Sequence, residues 1–96
     1  MKIATQNRLA HYQVEYNEIC EQNIVLNNQL LLQQQEFNNL QRYLNCNQGD
    51  TRARQQLRKC SRDLCSTQTK LRQNNIRLGT LTRQIDVERR KIMTGR

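Results

Sequence analysis

Proline is absent from this chain, and tryptophan with it. Without proline, long stretches lack the residue that most sharply interrupts a helix. Without tryptophan, and with apolar residues at only 35% of the 96 positions, the chain cannot fill a thick core. No apolar run is long enough to span a bilayer, and the opening MKIATQNRLA lacks the apolar segment of a secretory signal. The expectation is a protein without a membrane span or signal peptide, kept in a reducing intracellular compartment, the cytoplasm foremost. Histidine is limited to His11, and Cys20, Cys46, Cys60 and Cys65 form no C-x-x-C pair. That spacing argues against a zinc site and favours free thiols over a disulfide framework. No cofactor is implied.

What the chain does have is amide. Asparagine and glutamine together number 25, a composition that permits disorder unless a regular repeat organises it. Such a repeat is present on both sides of Asn45-Cys46-Asn47-Gln48-Gly49-Asp50-Thr51. That stretch collects turn and capping residues: asparagines, a glycine able to take positive φ, and Asp-Thr to start a helix.

In the first arm, steps of three and four select Leu9, Tyr12, Tyr16, Ile19, Asn23, Leu26, Leu30, Gln33, Phe37, Leu40 and Leu44. With Leu9 as a, these are a and d positions of a heptad repeat. The flanking e and g positions are mostly amides (Gln13, Gln22, Asn27, Gln29, Gln34, Gln41), which gives charge pairing little part in choosing a partner. In the second arm the a positions are Leu57, Leu64, Leu71, Leu78, Ile85 and Ile92. Its d positions are weaker: Ala53, Cys60, Thr67, Asn74, Leu81 and Glu88. Arg89, Arg90 and Lys91 suit the negative end of that helix, and Gly95 can terminate it.

Leu44 and Leu57 are both a positions but break the seven-residue frame by one, so a continuous rod would need a distortion that a hairpin does not. The chain is therefore read as all-α, a two-helix antiparallel coiled-coil hairpin over residues 1–96. Helix 1 is expected at about 3–45, the turn at 46–50 and helix 2 at about 51–94. Pairing residues whose numbers add to 97 puts the fold between Gln48 and Gly49 and sets Asn23 against Asn74, each able to give and accept a hydrogen bond. Shifting by a heptad moves the fold off the glycine and separates the asparagines. In this register no two cysteines come close enough to bridge.

The net charge of +8 is uneven: residues 1–48 hold three basic and four acidic residues, residues 49–96 thirteen and four. Two surfaces follow. Ile24 and Leu31 at b, with Val25 and Leu32 at c, gather on the side of the first helix away from the second. Such a clustered patch suits self-association, a four-helix bundle of two hairpins included, or docking on another helical protein, though it could also simply face solvent. On the second helix Arg52, Arg54, Arg58, Lys59, Arg62, Arg72, Arg83 and Arg90 lie at b, c, e or f. They read either as a solvated face or as contacts for nucleic acid or an acidic surface. All four aromatics lie in the first arm, so the basic arm has no stacking platform for bases. A parallel basic zipper on Leu57, Leu64, Leu71 and Leu78 at d would place Arg54, Ser61, Gln68, Asn75, Thr82 and Arg89 in its seam, which is too polar. Nothing resembles a nucleophile with its base or a phosphate loop, so the expectation is a non-enzymatic structural or assembly protein. The alternative is a basic hairpin that binds a polyanion.

Overall fold

The computed structural model describes residues 2–94. The protein is all-α: α1 runs Lys2–Cys46, α2 runs Thr51–Thr94, and the two pack against each other as a hairpin. Gly95, expected to end the second helix, lies outside the described residues. Of the three cations expected in the closing turns of α2, Lys91 stands in the last one.

The turn works through side-chain caps. Asn47 N–H donates to the Leu44 carbonyl at 3.3 Å, and Asp50 N–H to the Asn47 carbonyl at 3.1 Å. The Asn47 side-chain amide donates to the Tyr43 carbonyl at 3.0 Å, satisfying an orphan acceptor at the end of α1. Asp50 Oδ1 accepts from Ala53 N–H at 3.0 Å, the N-cap geometry for α2. Gly49, though able to take a left-handed φ, does not use one. A turn closed from Asn47 to Asp50 is compatible with ordinary negative φ at its centre, so glycine's freedom is not what makes it.

None of the a and d positions assigned from the heptads is exposed. Among the described residues the eight buried ones are Thr5, Ile19, Leu26, Ala53, Cys60, Thr67, Leu81 and Glu88, and every one is a d position. The a positions are all half-buried. The seam is thus centred on d, where the small residues Ala53, Cys60 and Thr67 are buried. Thr67 shows how a polar one fits: its Oγ1 donates to the Asp63 carbonyl at 3.0 Å within its own helix, so no unpaired hydroxyl enters the seam.

Two compact units are present, each with a segment of both helices. One comprises Met1–Asn23 and Arg72–Arg96, here the terminal half; the other comprises Ile24–Leu71, here the turn half. In the terminal half Leu81 is completely buried, with Ile19, Thr5 and Glu88 also inside. In the turn half the buried residues are Leu26, Ala53, Cys60 and Thr67. There the Cys60 thiol donates to the Gln33 carbonyl at 3.3 Å. Burial, with smaller contributions from Glu36 and Asp63, pushes that thiol up, so it stays protonated and able to donate.

Candidate interaction surfaces

Besides the Cys60–Gln33 bond, the side-chain pairs that tie the two helices together lie in the terminal half. Asn74 Nδ2 donates to Asn23 Oδ1 at 2.9 Å, so the two seam asparagines do meet. The reciprocal bond differs from the sequence expectation. Asn23 Nδ2 donates at 3.3 Å to Asn75 Oδ1, not to Asn74, and Asn74 Nδ2 also reaches Gln22 Oε1 at 3.5 Å. The physical reason is position: with the seam centred on d, Asn23 at a sits towards the rim, where Asn75 at e comes within reach.

Two charged ties have no counterpart in the sequence reading. Arg77 holds Glu15 with a forked pair of bonds, Nε to Oε2 at 2.6 Å and Nη2 to Oε1 at 2.8 Å. The Arg77 guanidinium holds the Glu15 carboxyl below its usual range, and the carboxylate in turn raises the guanidinium. Both residues are at g, and g faces g in an antiparallel coil, so matching g positions of opposite charge across the hairpin would have found them. The second tie is Glu88, buried at d. Its Oε1 accepts from Arg8 Nε at 3.3 Å and from Lys91 Nζ at 3.4 Å, while Oε2 has no hydrogen-bond partner. A carboxylate among leucine-like positions reads as a weak layer in sequence. Lys91 reaches it from one turn along the same helix, whereas Arg8 comes from α1 and only folding brings it there.

Tyr12 and Tyr16 are half-buried as seam residues. Beside Tyr16 an open furrow of about 430 Å³ is bounded by Gln13, Asn17, Thr82, Ile85, Asp86 and Arg89. Its walls combine the amides of Gln13 and Asn17 and the Thr82 hydroxyl with the Tyr16 ring, Ile85, one acid and one guanidinium. Among the described residues no three His, Cys, Asp or Glu side chains could hold a metal ion, and the four cysteines are free thiols. Among the described residues no helix is long and apolar enough to cross a membrane.

Two surfaces remain. On α1, within the turn half, Ile24, Val25, Leu31 and Leu32 are 63%, 62%, 56% and 66% exposed. On α2, Arg52, Arg54, Arg58, Lys59, Arg62, Arg72, Arg83 and Arg90 are all exposed. The three ion pairs among the described residues draw instead on Arg8, Arg77 and Lys91. Arg58 and Arg62 share a shallow furrow of about 670 Å³ with Gln55 and Ser61. Arg83 Nε donates to the Gly79 carbonyl at 3.4 Å along its own helix.

Comparison with protein-family models, with curated proteins and with solved structures finds no match to this chain.

Proposed function

We propose that this chain is a non-enzymatic coiled-coil assembly protein, joining itself or another helical protein within a larger complex. The observation that carries the reading is the exposed aliphatic patch of Ile24, Val25, Leu31 and Leu32. The a/d seam accounts for the rest of the regular apolar repeat, so these four side chains are surplus to the hairpin. Covering each is worth about 1.5–3 kcal/mol, enough for a modest interface once association costs are subtracted.

Light scattering on the full chain tests it. The expected result is an oligomer for the wild type and a monomer of undiminished helicity for the double variant Val25→Lys with Leu31→Lys. Loss of helicity in that variant would place the patch in the intramolecular core and sink the reading.

A second reading has its own support in the eight exposed cations of α2 that take no part in those ion pairs. It makes the protein a binder of nucleic acid or an acidic surface. Titration with duplex DNA or RNA at two salt concentrations separates the two, because a polyanion complex weakens steeply with salt and an aliphatic contact does not.

A further inference from the structure

The partner of the α1 patch can be named more closely, on the premise that the assembly reading above holds. We infer that the patch binds the same patch of a second copy, antiparallel, about a two-fold axis passing by Asn28.

Heptad positions b, c and f lie opposite the a/d seam on the helix circumference. Ile24 and Val25, then Leu31 and Leu32, form two successive b/c pairs with Asn28 at f between them. This arrangement is self-complementary under an antiparallel two-fold. Ile24 meets Leu32 of the other copy, Val25 meets Leu31, and Asn28 meets its own equivalent, where two amides can each donate and accept.

Charge selects both the surface and the direction. Self-association through α2 would bring together two arms with thirteen basic and four acidic residues each, whereas the first half of the chain has three and four. Contact through α1 leaves both basic helices on the outside. Along α1 the outer face carries Glu18 and Glu21 before the patch and Arg42 after it. A parallel pair would set each of these against its own like charge. The antiparallel pair sets Glu18 level with Asn38, Glu21 level with Gln35 and Arg42 level with Val14, so no like charges are opposed.

The aliphatic area alone falls short of a stable interface. Four aliphatic side chains from each copy, at about 100 Å² apiece, cover on the order of 800 Å² together. A stable interface needs about 1,200 Å² or more, so the flanking turns have to join in. The antiparallel pairing brings them in as amide-rich, charge-compatible surface on both sides.

A charge-exchange experiment on the full chain tests the register. Val25→Glu and Leu31→Lys each place two charges against aliphatic partners in a self-pair, so each variant alone should associate on the order of a hundredfold more weakly than wild type. In an equimolar mixture the antiparallel register sets the introduced carboxylate of one chain against the introduced ammonium of the other and leaves the second Val25–Leu31 contact intact. Sedimentation equilibrium should then show a heterodimer within about tenfold of wild-type affinity. A wild-type dimer whose variants are not rescued by mixing overturns the register and leaves the assembly reading standing. A wild type monomeric at all concentrations overturns the homotypic contact altogether. The exchanged set, Val25→Lys with Leu31→Glu, has the same expected outcome and replaces the first should either variant lose helicity.

Discussion

The two halves of the hairpin are held by different means. In the turn half the helices meet over Leu26, Ala53, Cys60 and Thr67, and no ion pair joins them among the described residues. In the terminal half Leu81 and Ile19 are buried beside Asn23, Asn74, the Glu15–Arg77 pair and the Arg8–Glu88–Lys91 cluster. The contrast follows from chain connection. Near a short capped turn the helices are already held together, and small d residues suffice to let them pack. Away from it, alignment has to be specified by side chains, and directional polar bonds specify it where aliphatic contacts would tolerate sliding. Directional polar contacts favour one register over its neighbours.

The comparison breaks most visibly at Leu81, the one fully buried large side chain among the described residues. Leu81→Ala should destabilise the protein by about 3 kcal/mol. Hydrogen exchange should show faster opening in the terminal half than in the turn half. A uniform rise across both halves would mean that they are not separately held.

Next in size is the amide pair. Asn23→Leu or Asn74→Leu alone strands a half-buried amide and should cost about 1 kcal/mol, while the double variant recovers most of it. Denaturant melts of the full cycle measure this, and strict additivity would remove the pair's claim to set the register.

The glycines sharpen the contrast in the opposite direction. A Cβ on Gly79 meets nothing within 4 Å, so Gly79→Ala inside α2 should stabilise by about 1 kcal/mol. Gly49→Ala in the turn is equally unobstructed and should gain about 0.5 kcal/mol through the unfolded chain. A large loss at Gly49 would show that the turn does require a left-handed residue.

The smallest effects are in acid. Glu15 is lowered by its bonds from Arg77, and Asp50 by the Tyr43 hydroxyl at 2.7 Å and then by Ala53 N–H. Both folded values lie below the unfolded ones of about 4. Each contribution is therefore complete above the unfolded pKa and is lost as pH falls through the folded value. Tyr43 is raised by the same bond, so its contribution is present below the unfolded phenol pKa and is lost as pH rises through the folded one. Carboxyl titration by NMR should show Glu15 moving up in Arg77→Gln and Asp50 moving up in Tyr43→Phe. Each change should leave the other carboxyl alone, and crossed effects would contradict the independence of the two halves.

Much of this molecule was legible in one dimension. Apolar steps of three and four, a one-residue frame slip and a cluster of capping residues require only local spacing, and they determined two helices, their turn and the a/d seam. The exposure of Ile24, Val25, Leu31 and Leu32 followed from the same spacing, since b and c turn away from any a/d partner. Tertiary structure decided what depends on how far each helix rotates and on which side chains come within hydrogen-bond distance. It made d the deep position and a the rim, and so gave Asn23's amide to Asn75. It also placed Arg8 against the buried Glu88, and joined Tyr43 to Asp50 over a turn that leaves Gly49 unstrained. A heptad frame assigns residues to faces, but rotation about the helix axis and reach across the seam are set only when both helices are in place.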